Sequence, residues 1–247
     1  MRSGSGALPE EVRNKASREE EMKRIFLAGV MVLLCSWTAA FGQDTDLLQK
    51  ANAGDAASQV KMGNQYALGQ GVARNSQEAV KWFRRAAEQG YPDGQYRLGG
   101  MYEVGFGVPP DFATAVKWYQ LAAKQGLVEA EYRLGIMYEQ GRGVAKDDAQ
   151  AAKWYQLAAS RGRAQAQFKL GEMYEAGRGL PQDYKEAWKW YFQAAQQNRP
   201  EAQFRLGKLY EQGLGVPQST SEAIKWYQQA IAKGDSEAEE SLRALEK

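Results

Sequence analysis

The sequence predicts an all-α solenoid, a fold in which short helical repeats stack side by side along one direction. One observation behind this prediction is a motif that occurs five times at a constant period of 36 residues. Its glycine column comprises Gly63, Gly99, Gly135, Gly171 and Gly207, and its tryptophan column comprises Trp82, Trp118, Trp154, Trp190 and Trp226. The other observation is the helical spacing of apolar residues within each repeat. A fixed period of roughly 20 to 50 residues is typical of stacked repeats.

The first helix of each repeat is predicted from apolar residues that share one helical face. In the second repeat Gly94, Leu98 and Met101 follow the spacing i, i+4 and i+7, which places them on one side of a helix. Tyr96 lies on the opposite side, and its column stays apolar in every repeat, so we expect this helix to be sandwiched between neighbours. Gly99 lets an adjacent backbone or a Trp ring approach closely.

A second helix is predicted after a glycine-containing turn. It begins after residues that cap helix N-termini, at Asn75, Asp111, Asp147, Asp183 and Ser219. In four repeats a Glu or Gln three residues later completes a capping-box pattern, at Glu78, Gln150, Glu186 and Glu222. The buried face is expected to include Ala115, Trp118, Tyr119, Ala122 and Ala123. The helix ends at residues that accept a left-handed backbone, namely Gly90, Gly126, Gly162, Asn198 and Gly234.

Shorter elements flank the repeats and predict capping helices. We assign residues 43–56 to an N-terminal capping helix, 57–237 to a solenoid of five repeats, and 238–247 to a C-terminal capping helix. The terminal repeats of a solenoid need polar outer faces, and Arg243 and Lys247 are expected to contribute to one. About twelve helices are therefore expected in the processed chain.

Residues 22–42 have the three-part layout of a secretory signal peptide. Lys23 and Arg24 precede an apolar segment over residues 25–37, which is shorter than the roughly 20 residues that a membrane-spanning helix needs. We therefore predict a periplasmic or secreted protein of a Gram-negative bacterium, with no membrane span once the signal peptide has been cleaved.

The boundaries of this segment leave alternatives open. Small residues favour cleavage before Gln43, and cleavage after Ala40 is the alternative. Residues 1–21 are polar and charged, and they are interpreted either as a disordered extension or as a misassigned start or tag that precedes a true start at Met22.

Composition offers little support for enzymatic chemistry. The chain has no histidine, and its single cysteine, Cys35, lies in the predicted signal peptide, so the usual nucleophile–base pairs and zinc ligand sets are absent. We predict no catalytic residue, no metal and no cofactor. Ser58 and Lys61 match a Ser-x-x-Lys nucleophile motif, but both fill ordinary repeat columns and the companion motifs are missing. A recurrent carboxylate column is interpreted as repeat architecture and comprises Glu103, Glu139, Glu175 and Glu211.

The repeat motif resembles a known family. Each repeat approximates Ala-x-Tyr-x-Leu-Gly-x-Met-Tyr-Glu-x-Gly-x-Gly-Val followed by Ala-x-x-Trp-Tyr-x-x-Ala-Ala-x-x-Gly. This pattern resembles the Sel1-like repeat, a subgroup of the tetratricopeptide superfamily with a longer period. The resemblance implies a right-handed superhelix whose first helices line a concave groove. It also implies an adaptor or regulator that binds proteins or peptides, often in bacterial envelope or host-contact settings.

One stripe on the first helices is the candidate binding surface, because it combines a constant basic column with two variable columns. It comprises Lys61, Asn64, Arg97, Gly100, Val104, Arg133, Ile136, Gln140, Lys169, Glu172, Ala176, Arg205 and Lys208. A structural role is the alternative, since acid–base pairs at i, i+4 support helices. Such pairs are predicted at Asp93–Arg97, Glu129–Arg133 and Glu201–Arg205. Lys61 and Lys169 lack such a partner and are the better candidates for binding an acidic group.

Protein or peptide binding is the function that these features favour. A net charge of +2 and aromatic residues in core columns argue against a nucleic-acid partner. We predict a monomeric exported scaffold, adaptor or regulator that binds a protein or peptide in the concave groove of its solenoid. Two alternatives stay open at this point. One is a β-lactam-hydrolysing or other envelope enzyme or its regulatory subunit, and the other is a cell-wall glycan-binding module.

Overall fold

A computed structural model of the chain describes residues 45–245, and over that range the chain forms twelve helices and no strand. The predicted extension (residues 1–21) and signal peptide (residues 22–42) lie outside the described residues. The chain divides into two compact parts, one ending at Gly54 and the other beginning at Asp55. In the first part, the structure describes a helix over residues 45–52, here α1.

The part that begins at Asp55 is an all-α solenoid of five two-helix repeats, which confirms the predicted fold class. Each first helix packs against the second helix of its own repeat, and that helix packs against the first helix of the next repeat. The helices are α2 (Ala56–Leu68) and α3 (Ser76–Glu88), α4 (Pro92–Val104) and α5 (Phe112–Lys124), α6 (Val128–Gln140) and α7 (Asp148–Ser160), α8 (Ala164–Ala176) and α9 (Tyr184–Gln196), α10 (Pro200–Gln212) and α11 (Thr220–Ile231), and finally α12 (Ser236–Leu245).

The second helices begin at the predicted N-cap residues, but the capping box does not form as predicted. The Oδ1 atom of Asn75 accepts from the amide of Glu78 at 3.1 Å, which is the first half of a capping box. The second half is missing because the Asn75 amide donates to the carbonyl oxygen of Tyr66 at 2.9 Å. The Glu78 side chain instead accepts from Lys81 Nζ at 2.6 Å. In the other repeats too, the amide of the N-cap residue donates to a tyrosine carbonyl oxygen of the first helix, at Asp111, Asp147, Asp183 and Ser219.

The second helices also end where predicted. The residues after them have positive φ at Gly90, Gly126, Gly162, Asn198 and Gly234. Asn198, with φ of 60°, is the one non-glycine residue in this conformation among residues 45–245. Asparagine tolerates the left-handed region better than other non-glycine residues do, so the repeat boundary survives this substitution.

The glycine column permits a close approach, although the ring that uses it is not the Trp ring that the sequence suggested. A Cβ added to Gly99 would lie 2.7 Å from Cε1 of Tyr119, a distance that real Cβ atoms do not adopt. Tyr119 is fully buried, whereas Trp118 is only partly buried. A tyrosine therefore fills the centre of the second to fifth repeats, and Phe83 takes its place in the first. Trp118 packs instead towards the neighbouring repeat.

A buried polar side chain on the first helix of a repeat bonds to a side chain at the end of the second helix of the same repeat, which can also reach the preceding repeat. Gln125 Nε2 donates to Gln95 Oε1 and to the carbonyl oxygen of Gly90, both at 2.9 Å. In the third repeat the glutamine pair is replaced by a charged pair, in which Arg161 Nε donates to Glu131 Oε1 at 3.1 Å. Burial raises the pKa of Glu131, and the charge and hydrogen bond of Arg161 only partly offset this. Burying a charge is unfavourable unless it is paired, and Arg161 supplies the cation that the buried Glu131 carboxylate needs.

None of the helices over residues 45–245 is both long enough and apolar enough to span a bilayer.

Candidate partner-binding groove

The predicted stripe lies along the accessible face of the first helices. None of its residues is buried, and Lys61, Arg97, Val104, Gln140 and Ala176 are the exposed ones. Cavities on this face are lined by residues of two or three successive first helices, so the surface is a groove. We refer to it as the first-helix groove.

The recurrent carboxylates lie at the edge of this groove and are held by buried tyrosines. Tyr119 donates its hydroxyl to Glu103 at 2.6 Å, Tyr155 to Glu139 at 2.7 Å, and Tyr191 to Glu175 at 2.5 Å. Tyr227 donates to Glu211 in the same way. Burial raises the pKa of each tyrosine, and the adjacent carboxylate raises it further. The tyrosines are therefore neutral donors, and the carboxylates have the architectural role that the sequence analysis assigned to them.

Cations from the next repeat approach the same carboxylates. Arg133 lies 3.8 Å and Arg142 lies 3.6 Å from Oε1 of Glu103. Arg178 donates to Glu139 at 3.1 Å, and Lys169 lies near enough to lower the pKa of Glu139. Two cations of one repeat thus neutralise a carboxylate of the preceding repeat, and the basic column is part of the frame between repeats.

Two of the three predicted i, i+4 ion pairs are consequently wrong. Asp93 and Arg97 do pair, at 3.3 Å. Arg133 and Arg205 point instead to Glu103 and Glu175 of the preceding repeats, each at 3.8 Å. These carboxylates are held in place by tyrosines and attract the guanidinium groups away from their own helices. The acids that they leave pair elsewhere, as Glu129 with Arg163 and Glu201 with Arg199.

Lys61 and Lys169 both lack an acidic residue four positions earlier, as predicted, but the structure distinguishes them. Lys169 pairs with Glu172, three residues along its own helix, at 3.0 Å. Lys61 is exposed, and no ion pair of its side chain occurs within the described range. Lys61 therefore keeps the property that made it a candidate for binding an acidic group.

The first repeat lacks the tyrosine–carboxylate pair, and a pocket lies in its place. Its glutamate position holds Ala67, and its tyrosine position holds Phe83, so both partners of the hydrogen bond are missing together. The resulting cavity has a volume of about 310 Å³. It is lined mainly by apolar residues of α2 and α4, with charged residues at its rim, and includes Asn64, Ala67, Leu68, Gly100, Met101 and Val104. We call it the repeat 1–2 pocket.

A second cavity in the groove is polar. It has a volume of about 360 Å³ and is lined by residues of the fourth and fifth repeats, namely Glu172, Glu175, Ala176, Arg178, Tyr184 and Arg205. We call it the repeat 4–5 pocket. The two pockets belong to the same groove but present different chemistry.

The structure brings part of the predicted stripe together and leaves part of it dispersed. The repeat 1–2 pocket includes Asn64, Arg97, Gly100, Val104 and Arg133, and the repeat 4–5 pocket includes Glu172, Ala176 and Arg205. The stripe residues outside both pockets are Lys61, Ile136, Gln140, Lys169 and Lys208. Sequence reasoning missed Ala67, Phe83 and Met101 as pocket residues. The sequence does contain a signal for this pocket, because Ala67 and Phe83 both differ from the glutamate and the tyrosine that the later repeats have at these positions.

The two residues of the Ser-x-x-Lys match differ in their exposure to solvent. Ser58 is 5% exposed and lies in the packed interior, whereas Lys61 is exposed. No group of three or more acidic, His or Cys side chains that could hold a metal ion occurs over residues 45–245.

The comparisons with known proteins agree with this architecture. The sequence profile of the Sel1 repeat family matches residues 56–91, 92–127, 128–162, 164–198 and 200–235. Among solved structures, the chain is similar to c5321 of uropathogenic Escherichia coli, described as a protective antigen with an SLR fold, at 41% identity and a TM-score of 0.79 over 80% of this chain. It is also similar to a Sel1 repeat protein from Oxalobacter formigenes, at 36% identity and a TM-score of 0.71 over 81% of this chain.

The present chain spans only part of each similar protein, 42% of c5321 and 57% of the Oxalobacter protein. No curated protein matches the chain. The family matches confirm the resemblance seen in the repeat motif.

Proposed function

We propose that this chain, which belongs to the Sel1 repeat family, is an exported scaffold or adaptor that binds a protein or peptide in its first-helix groove. Sel1 repeat proteins generally mediate protein–protein interaction, and the fold is typically a non-enzymatic scaffold. The proposal applies this general role to a particular surface of this chain.

The observation that carries the proposal is that the edge of the groove is held in the same way in successive repeats, whereas the exposed side chains along it differ. Tyrosine–glutamate bonds and cations from the following repeat hold the edge of the groove in the second to fourth repeats. On this frame the stripe presents residues that differ between repeats, such as Gly100, Ile136 and Glu172 at one column. A rigid scaffold with non-identical exposed side chains suits recognition of an extended ligand, because less ordering entropy is lost on binding.

Site-specific crosslinking in the cell tests this proposal. A photo-crosslinking amino acid is placed at position 136 or 172 in the groove, and crosslinked proteins are identified by mass spectrometry. The matched control is position 153, where Lys153 is exposed on the second helix α7. We expect a defined protein adduct from the groove positions and not from the control. Equal adducts from all three positions, or none from the groove, would contradict the proposal.

We further propose that the mature chain is a monomer in the periplasm or outside a Gram-negative bacterium. The support for export from a bacterium is the three-part layout of residues 22–42, together with the bacterial origin of both similar structures. Cell fractionation and intact-mass measurement of a C-terminally tagged chain test export, and light scattering tests the oligomeric state. We expect a mature N-terminus at Gln43. Recovery of uncleaved chain in the cytoplasm would contradict export.

A further inference from the structure

We infer that the repeat 1–2 pocket is an anchor site that seats one large apolar side chain of an extended, acidic peptide segment. The inference rests on the proposed groove function and deepens it, because it specifies the chemistry of the ligand and where along the groove it is held.

The apolar character of the pocket is the first support. Leu68 is 65% exposed and Val104 is 76% exposed, which are the two highest values among the exposed large apolar residues of the described range. Both lie at the last turn of their helices and both line the pocket. Their column continues as Gln140, Ala176 and Gln212 in the later repeats, so the apolar surface is confined to one end of the groove. A confined, exposed apolar patch rimmed by polar residues marks an interaction site.

The depth of the pocket is the second support. Ala67 occupies the position at which later repeats have a glutamate, and Phe83 contributes a ring without the hydroxyl that would hold that glutamate. Gly100 adds no side chain, whereas the same column holds Ile136, Glu172 and Lys208 in later repeats. The cavity of about 310 Å³ is at the lower end of the range for small-molecule pockets. It is therefore suited to a single large side chain.

The charges around the pocket specify what flanks that side chain. Arg97 and Arg133 line the pocket, and Lys61 lies one helical turn before the lining residue Asn64. The carboxylate at the rim, Glu103, already accepts from Tyr119 and lies close to two arginines. The ion pair between Arg97 and Asp93 is exposed and contributes little to stability. The Arg97 guanidinium is therefore available to a ligand. Positive charge at the rim favours carboxylates on either side of the anchored side chain.

The repeat 4–5 pocket shows why the anchor is assigned to one position only. There Glu172 stands at the column of Gly100, and Glu175 stands at the column of Ala67. An apolar side chain placed in that pocket would desolvate these charges, which is unfavourable. Val104 and Ala176 share one sequence column and line different pockets, so they provide a test site and a control site.

Peptide selection tests the inference without knowledge of the natural partner. A displayed library of random peptides is selected on the purified wild-type chain, and enriched peptides are synthesised and titrated by fluorescence polarisation. We expect enriched peptides to share one large aliphatic or aromatic residue flanked by Asp or Glu. No enrichment, or enrichment of peptides with basic flanks or without the apolar residue, would overturn the inference.

Three variants decide whether the peptide uses this pocket. Gly100→Ile fills the pocket, and the helix tolerates it because an added Cβ meets only the Tyr119 hydroxyl, at 3.7 Å. Val104→Gln makes the rim polar with a residue that its own column contains elsewhere. Ala176→Gln is the same column change in the repeat 4–5 pocket. We expect the first two to weaken binding by about tenfold or more, and the control to change it by no more than about twofold.

The outcomes separate this inference from the groove proposal. If Gly100→Ile and Val104→Gln bind as wild type does while Ala176→Gln loses binding, the anchor pocket is wrong and the groove function stands. If crosslinking from the groove also fails, both fall. Because thermal melting of each variant is measured in parallel, loss of folding is distinguished from loss of the pocket.

Discussion

Tyr119 donates its hydroxyl to Oε2 of Glu103 at 2.6 Å, which joins the second helix of a repeat to its first. The glutamate also lies close to arginines of the following repeat, so one buried tyrosine organises a contact between repeats. The first repeat shows that the bond is dispensable when both partners are removed, since Ala67 and Phe83 occupy these positions and α2 still packs on α3. Loss of one partner alone differs, because it leaves the other partner without its hydrogen bond.

In the third repeat, removing one partner of the tyrosine–glutamate hydrogen bond should lower the free energy of unfolding. Removing both partners should lower it by less than the sum of the two single losses. Tyr155→Phe leaves Glu139 partly buried and without its tyrosine donor, and we expect a loss of about 1–2 kcal/mol in the free energy of unfolding. Tyr155→Phe combined with Glu139→Ala reproduces the first-repeat pair and should cost less than the sum of the two single changes. Urea unfolding of the four proteins in the cycle measures this coupling. Strict additivity would show that the bond carries no specific energy.

The steric fit of the glycine column gives a prediction with an adjacent control. Gly99→Ala places a Cβ 2.7 Å from the ring of Tyr119, and we expect destabilisation of about 1–3 kcal/mol from overpacking. Gly100→Ala, one residue later in the same helix, meets nothing closer than 3.7 Å and should stabilise the chain by about 0.5–1 kcal/mol through helix propensity. Thermal melting separates the two. Equal effects would mean that the tyrosine ring moves aside without cost.

The charged Arg161–Glu131 pair within the third repeat should be replaceable by an uncharged pair. Arg161→Gln alone leaves the carboxylate of Glu131 buried without its cation, and we expect a loss of about 1–3 kcal/mol at neutral pH. Adding Glu131→Gln restores the glutamine pair that Gln95 and Gln125 form elsewhere, and the double variant should recover wild-type stability or exceed it. Chemical denaturation at pH 7 is the measurement. A double variant as unstable as Arg161→Gln would contradict this view of the link.

Acid stability should depend on the carboxylates at the edge of the groove. Burial raises the pKa of Glu139, but the Tyr155 hydrogen bond and the charges of Lys169 and Arg178 outweigh it and leave the pKa below its ordinary value of 4.5. A carboxylate with a lowered pKa stabilises the folded state above its unfolded pKa, and this contribution is lost as pH falls through the lower, folded value. Below about pH 4.5, Glu139→Gln should therefore lose stability less steeply than wild type.

The matched control for this pH dependence is Glu88→Gln, since Glu88 is exposed at the end of α3. Its unfolding profile between neutral and acid pH should follow that of wild type. A control profile that flattens as much as that of Glu139→Gln would show that general charge repulsion, and not this carboxylate, sets the acid limit. Circular dichroism melting curves across the pH range provide the comparison.

Sequence reasoning identified the candidate groove surface better than the interactions within it. The stripe lies along accessible first-helix surface, and most of its variable residues line one of two pockets. The ion pairs of Arg133 and Arg205 were misassigned because i, i+4 spacing describes a single helix, whereas their actual partners lie one repeat away. The missing half of the capping box has a similar cause, because the Asn75 amide donates its hydrogen bond to a carbonyl oxygen of another helix.

Local chemistry was sufficient to determine the repeats, because caps, terminators and apolar spacing act within about 36 residues and recur in five copies. That information determined the all-α solenoid, the second-helix boundaries and the face that carries variable side chains. Tertiary structure decided which tyrosine holds which glutamate and which repeat supplies the cation. It also decided that Ala67 and Phe83 together open a pocket. These relationships depend on distances between side chains of different helices, which stacking sets and linear spacing does not encode.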